Sequence, residues 1–125
     1  MNFISGYLLL LMEEESAFQM LCLIVEHYVP GYYTHTMAGL QIDLFVLKQL
    51  VEENLPDLHL HLQNVGIDLA VVTTKWFLCL FINVLPFPSV LRVWDVLFCK
   101  GSSTLIATAY SILILKKEEI CSKLN

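Results

Sequence analysis

The segment that decides the fold runs from Lys75 to Phe98 and reads Lys-Trp-Phe-Leu-Cys-Leu-Phe-Ile-Asn-Val-Leu-Pro-Phe-Pro-Ser-Val-Leu-Arg-Val-Trp-Asp-Val-Leu-Phe. Its first part is almost entirely apolar, prolines follow at Pro86 and Pro88, and its last part holds the only arginine, Arg92. A helix that is apolar on all sides has neighbours on several sides, and proline suits the first turn of a new helix. The segment therefore predicts a buried helix, a turn and an amphipathic helix.

The composition is unusually apolar for a soluble domain. The chain has 125 residues, of which 57% are hydrophobic and 15% charged, whereas soluble domains are about 25% charged. The longest apolar runs, Phe3–Met12, Trp76–Leu85 and Leu105–Leu115, are shorter than the roughly 20 residues that a membrane helix needs. We therefore expect one domain or part of one, with no transmembrane span and with something else covering one apolar face.

Charge and metal-ligating residues exclude several classes of function. The net charge of −5 and the scattered basic residues argue against nucleic acid as a partner, because no basic stripe is present. His59 and His61 are two residues apart and do not share a helix face, so neither a metal nor a cofactor is predicted. The four cysteines show no Cys-x-x-Cys spacing and indicate a reducing compartment. We expect a cytoplasmic location, with a peripheral position on endomembranes left open.

The apolar spacing predicts an all-α protein of about seven helices. Leu40, Leu44, Leu47 and Val51 form one predicted buried stripe, and Asp68 is the expected N-cap of the apolar helix. The expected bounds are Asn2–Met12, Ser16–Tyr28, Ala38–Asn54, Pro56 to Gly66, Leu69–Val84, Pro88 to Gly101, and a last helix from Ser102 or Ser103 whose apolar part ends at Lys116.

Arg92 and Asp95 are the charged residues that are candidates for a functional role. They lie three apart on one predicted helix, a spacing that permits an ion pair. Arginine is also the residue type that stabilises a transferring phosphoryl group in trans. The alternative, which we favour, is that Arg92 ties its helix to a neighbour. Glu13–Glu15 are interpreted as favourable charges at a helix N-terminus rather than as catalytic carboxylates.

Several short sequence motifs, taken in their order along the chain, resemble those of one protein family. Lys75–Phe81, Leu85-Pro86 and Val90–Phe98 resemble the C-terminal half of the TBC domain of Rab GTPase-activating proteins. Met1–Ile4, Leu8–Met12 with Glu13–Glu15, and Ala17-Phe18 resemble the helix pair in the middle of that domain. Shorter matching phrases are Pro30-Gly31-Tyr32-Tyr33, Gly39-Leu40-Gln41 and Leu55-Pro56. The resemblance covers residues 1–115, a partial TBC domain, and leaves 116–125 as a polar tail or helix end.

The resemblance implies an all-helical domain that binds a Rab-type small GTPase and speeds GTP hydrolysis in vesicle traffic, as a regulator rather than an enzyme. In that family two fingers act in catalysis, an arginine in Ile-x-x-Asp-x-x-Arg and a glutamine in Tyr-x-Gln-Gly. Neither motif occurs here, and the family pattern places both before Met1. Arg92 falls instead in the later phrase Arg-Val-Trp-Asp. We therefore expect no catalytic residue in this chain, structural roles for Arg92, Asp95, Trp76 and Trp94, and no activity of the chain alone.

Three interpretations stay open at this point. The chain is either a truncated activator or a non-catalytic module that binds a GTPase weakly or pairs with another chain, and a small helical membrane protein is the third reading. Exposed apolar faces would also favour self-association, since burying apolar surface contributes about 25 cal/mol per Å².

Overall fold

A computed structural model describes residues 1–123, which form seven helices and no strand. The all-α architecture predicted above is confirmed. The helices are α1 (Asn2–Leu11), α2 (Glu14–Leu23), α3 (Ala38–Asn54), α4 (Pro56–Val65), α5 (Leu69–Leu78), α6 (Phe87–Lys100) and α7 (Ser103–Lys123), and a π-helical turn, Ile24–Tyr28, extends α2. None of these helices combines the length and the apolar character that a membrane crossing requires.

Helix α3 lies at the centre of the larger part of the molecule and packs against α4, α5 and α7. Its predicted stripe of Leu40, Leu44, Leu47 and Val51 is buried along its whole length. The spacing of four, three and four residues places these side chains on one face. The N-terminal pair α1 and α2 packs chiefly on itself, and Ile4 and Leu8 are the buried residues of α1.

Helix α5 is shorter than predicted, because it ends at Leu78 rather than at Val84. Leu80 and Phe81 adopt left-handed backbone angles, with φ of 47° and 66°, and both side chains are fully buried. The Phe81 amide donates to the Trp76 carbonyl over 2.8 Å. The apolar run that predicted a long helix is therefore a buried turn in its second half, and the burial of that run, rather than its helical form, was correctly predicted.

The helix ends follow local chemistry with one exception. Asp68 caps α5 as predicted, since its Oδ1 accepts from the Ala70 amide at 3.0 Å, and Gly66 ends α4 with φ of 77°. The predicted start of this helix at Ser16 is wrong, because α2 begins two residues earlier, at Glu14. Acidic residues in the first turn favour that earlier start through their interaction with the helix dipole.

Helix α7 continues through the polar residues at its end, as far as Lys123. Glu119 pairs with Lys116 at 2.8 Å and with Lys123 at 2.5 Å. The hydrogen bond from Lys116, followed by that from Lys123, lowers the pKa of Glu119 to about 2. Such exposed pairs at i,i+3 and i,i+4 support a helix weakly, which explains why the helix outlasts its apolar part.

Candidate functional site

The junction between α5 and α6 is held by hydrogen bonds from two aromatic side chains. Trp94, only 2% exposed, donates from Nε1 to the Leu80 carbonyl over 3.0 Å. Tyr33 donates from its hydroxyl to the Leu78 carbonyl over 2.7 Å. Two aromatic side chains thus satisfy the carbonyl of Leu78, the last residue of α5, and that of Leu80 in the turn that follows. These two hydrogen bonds fix the corner that the Lys75–Phe98 segment makes between α5 and α6.

Trp94 also connects this corner to the N-terminal helix pair. Its ring lies 5.9 Å from the ring of Tyr7 on α1 and 6.2 Å from that of Phe98, measured between centroids. A second link is made by Tyr28, whose hydroxyl donates to the Phe98 carbonyl over 3.3 Å. Aromatic pairs at these separations contribute beyond the area that they bury. Trp94 therefore joins α1, the α5 turn and α6.

Trp76 takes a different position from Trp94. It is half-buried, its ring lies 6.3 Å from that of Phe81, and its indole donates no hydrogen bond within residues 1–123. It lines a shallow apolar groove with Ile112 and Ile120 of α7. Both tryptophans lie in the Lys75–Phe98 segment. Trp94 is buried at the corner, whereas Trp76 lies in a groove at the surface beside α7.

Arg92 and Asp95 are both exposed on α6. The ion pairs found within residues 1–123 involve neither side chain, and no hydrogen bond in that part of the chain ties Arg92 to another helix. The expected pairing of Arg92 is therefore not seen, since water solvates exposed charges well enough to make pairing nearly neutral. Arg92 lines an open groove of about 440 Å³ between α6 and α7, together with Lys100 and hydroxyl groups of α7.

The tyrosines of the loop before α3 are site residues that the sequence reading missed. Tyr32 is buried and donates from its hydroxyl to Oδ2 of Asp43 on α3. Burial raises the pKa of Tyr32, and the nearby Asp43 carboxylate raises it further. The signal was present in the adjacent tyrosines after Pro30-Gly31, but their partners lie on α3 and at the end of α5. No local pattern identifies such partners.

Asp43 makes stability depend on pH in a defined direction. Burial raises its pKa above 3.8, and the hydrogen bond from Tyr32 opposes that shift only in part. The folded state therefore holds a proton that the unfolded chain has lost, so stability falls as pH rises from 3.8 through the raised pKa. We expect Asp43→Asn to gain stability relative to the wild type over that range, and urea unfolding at a series of pH values measures it. Tyr32→Phe removes the hydrogen bond that lowers the pKa of Asp43 and is expected to move the pH dependence to higher pH. A pH-independent difference for Asp43→Asn contradicts the prediction.

A concavity of about 700 Å³ lies between α1 and α2. Leu9 from α1 and Phe18 and Leu21 from α2 supply its apolar lining, and Glu13–Glu15 lie along it. Leu9 is 56% exposed and Phe18 is 66% exposed. We call this concavity the α1–α2 groove, and it exposes apolar side chains from both helices.

The metal-ligating residue types do not gather in the part of the chain that the structure describes. No cluster of three or more histidine, cysteine, aspartate or glutamate side chains forms there. His59 and His61 lie on α4, and Nε2 of His61 is buried without a hydrogen-bond partner among residues 1–123. The four cysteines are free, and Cys99 is the exposed one.

Comparison with known proteins identifies the family. A family model described as the Rab-GTPase-TBC domain matches residues 1–121. The growth hormone-regulated TBC protein 1-A of Danio rerio is 40% identical over 126 aligned positions, covering 100% of this chain and 35% of that protein. The small G protein signaling modulator 3 of Rattus norvegicus is 40% identical over 123 residues, covering 98% of this chain and 16% of that protein.

A solved structure agrees with both relatives. The crystal structure of the Chlamydomonas flagellar RabGAP TBC domain superimposes with a TM-score of 0.85 at 32% identity, over 99% of this chain and 41% of that one. The chain spans about a third of the length of the growth hormone-regulated TBC proteins that it matches. The resemblance to the TBC domain is thus confirmed by a family model, by relatives that match almost all of this chain, and by the fold. The chain belongs to the Rab-GTPase-TBC domain family.

Proposed function

We propose that residues 1–125 form the supporting part of a Rab GTPase-activating domain, bind a Rab-type GTPase weakly in the cytoplasm, and do not accelerate GTP hydrolysis by themselves. The observation that supports this proposal is the position of Arg92, the only arginine. It lies exposed in the α6–α7 groove, within the phrase Arg-Val-Trp-Asp, and neither finger motif of the family occurs in these residues. The aromatic corner around Trp94 fits a scaffold rather than a reacting centre.

The missing groups decide the expected rate. An arginine finger supplied to a GTPase increases the hydrolysis rate about 10³–10⁵-fold, equivalent to roughly 4–7 kcal/mol of barrier at about 1.36 kcal/mol per tenfold. Scaffold contacts with the GTPase alone stabilise the ground state and the transition state alike, and such uniform binding does not raise the rate of the chemical step. A segment without fingers is therefore expected to bind without activating.

Single-turnover GTP hydrolysis on a panel of GTP-loaded Rab proteins tests the proposal. We expect the rate with the chain present to stay within about twofold of the intrinsic rate. The Chlamydomonas flagellar RabGAP TBC domain serves as the positive control. An acceleration of about a hundredfold on any Rab would overturn the proposal, and its loss in Arg92→Ala would then assign the finger role to Arg92.

A second candidate function is a non-catalytic module that pairs with another copy of the chain. Apolar side chains exposed outside the α1–α2 groove favour it, among them Val71, which is 75% exposed, and Leu115, which is 81% exposed. Sedimentation equilibrium distinguishes the two candidates. A mass that stays at 14.3 kDa across the concentration range excludes pairing, whereas a dimer that Leu115→Gln dissociates supports it.

A further inference from the structure

The α1–α2 groove has the shape and the lining of a helix-docking surface. Helices α1 and α2 are joined by only Met12 and Glu13, so they fold back on each other and leave a groove between them. Its exposed apolar side chains, Leu9 and Phe18, lie on opposite walls. An amphipathic helix that lays its apolar face into such a groove is a recurring mode of protein recognition.

The charged side chains that line the groove are all acidic. Residues 1–47 contain five acidic residues and no lysine or arginine, and Lys48 is the first basic residue of that kind. Glu13, Glu14 and Glu15 line the groove and are exposed. The ion pairs within residues 1–123 involve Glu119 and Asp57 and leave these three carboxylates free. The groove therefore attracts cations and repels anions within the Debye screening length, about 8 Å at physiological ionic strength.

This charge separates the candidate occupants. A second copy docked by the same groove would bring two sets of Glu13–Glu15 together, and like charges across an interface oppose association. An anionic lipid surface is repelled for the same reason. A helix with lysine or arginine beside its apolar stripe satisfies both the apolar walls and the acidic rim.

We propose that the α1–α2 groove binds an amphipathic helix whose apolar stripe is flanked by basic residues. The apolar stripe fills the space between Leu9 and Phe18, and the basic flanks lie against Glu13–Glu15. This proposal does not rest on the GTPase contact proposed above, and its test needs no GTPase. A failure here therefore leaves that proposal standing, and the reverse also holds.

Fluorescence anisotropy with two labelled model helices tests the proposal on the full chain. The first is an 18-residue helix of leucine and lysine with leucine at the stripe positions, and the second carries glutamate at every lysine position. We expect the lysine helix to bind and the glutamate helix to bind at least about tenfold more weakly. Equal binding of the two helices, or binding of neither, overturns the proposal.

Matched variants place the binding on the groove. The charge variant Glu13→Gln/Glu14→Gln/Glu15→Gln is expected to weaken binding of the lysine helix roughly tenfold, in a salt-dependent way. Its control, Glu52→Gln/Glu53→Gln/Glu118→Gln, removes three other exposed acids and is expected to change the affinity by less than about twofold. Equal losses in the two triple variants overturn the proposal.

The apolar walls have a matched pair of their own. Phe18→Gln and Phe45→Gln change side chains that are 66% and 62% exposed, so neither variant removes core packing. We expect only Phe18→Gln to weaken the lysine helix, by roughly tenfold, with thermal melts confirming that both variants stay folded. If sedimentation shows a dimer that Phe18→Gln alone dissociates, the occupant is a second copy and the proposal fails.

Discussion

Replacing Trp94 with alanine is expected to lower the free energy of unfolding by about 3–5 kcal/mol, the usual cost of truncating a buried aromatic residue. The side chain is 2% exposed and contacts the rings of Tyr7 and Phe98. Its removal also leaves the Leu80 carbonyl without the indole donor. Because domains of this kind are stable by about 5–15 kcal/mol, this loss removes a substantial fraction of the total stability.

Two conservative changes separate the contributions to this loss. Trp94→Phe keeps most of the ring contacts and removes the hydrogen bond to Leu80, so we expect a loss of about 1–3 kcal/mol. Trp76→Phe changes a half-buried residue whose indole donates no hydrogen bond within residues 1–123, and we expect a smaller loss than for Trp94→Phe. Urea unfolding followed by far-UV circular dichroism measures all three. Equal losses for Trp76→Phe and Trp94→Phe would mean that the Leu80 bond contributes nothing.

The parts of the fold that the sequence predicted correctly are those that depend on local periodicity. The stripe from Leu40 to Val51 repeats at helical spacing and is buried as expected. Asp68 begins α5 through a side-chain hydrogen bond to an amide two residues further on. Gly66 ends α4 through its own left-handed backbone angles. Such features need only a short window of sequence, because the interacting groups are neighbours along the chain.

The end of α5 could not be predicted because its cause is not local. Leu80 and Phe81 adopt left-handed angles that cost an L-residue roughly 1–2 kcal/mol each. The structure offsets this cost through full burial of both side chains and through Trp94, 14 residues further on, and Tyr33, 45 residues earlier than its partner. A helix-forming apolar run is thus overridden by tertiary hydrogen bonds. The absence of an ion pair at Arg92 within residues 1–123 could not be predicted either. Its spacing from Asp95 permits a pair, but water solvates the two exposed charges so well that pairing gains almost no free energy.

A second large effect is expected from Gly39→Ala, at the first turn of α3. A Cβ atom at Gly39 would lie 2.1 Å from the Pro30 carbonyl oxygen and 3.2 Å from the Gly31 carbonyl carbon. Both are backbone atoms, so no side chain can rotate away to make room. The Gly39 amide also donates to the Gly31 carbonyl over 3.2 Å. The two segments therefore pass each other backbone to backbone, at a distance that only glycine permits.

Adding the methyl group forces the start of α3 away from the preceding loop. That movement strains the bond from Tyr32 to Asp43 and the bond from Tyr33 to the Leu78 carbonyl, which together hold the loop on α3 and α5. Overpacking alone costs about 1–3 kcal/mol, and the loss of these hydrogen bonds adds to it, so we expect at least about 3 kcal/mol in urea unfolding. Near-UV circular dichroism should also change, because the tyrosines lose their fixed surroundings.

Gly6→Ala provides the control, because it makes the same chemical change inside a helix with open space around it. Nothing lies within 4 Å of a Cβ atom at Gly6, and alanine forms helix better than glycine by about 1 kcal/mol. We therefore expect Gly6→Ala to stabilise α1 by up to about that amount. Opposite signs for the two substitutions show that the cost at Gly39 comes from the close passage beside Pro30. If Gly39→Ala proves neutral, the loop and α3 are not held together as this geometry requires, and the tyrosine bonds lose their support.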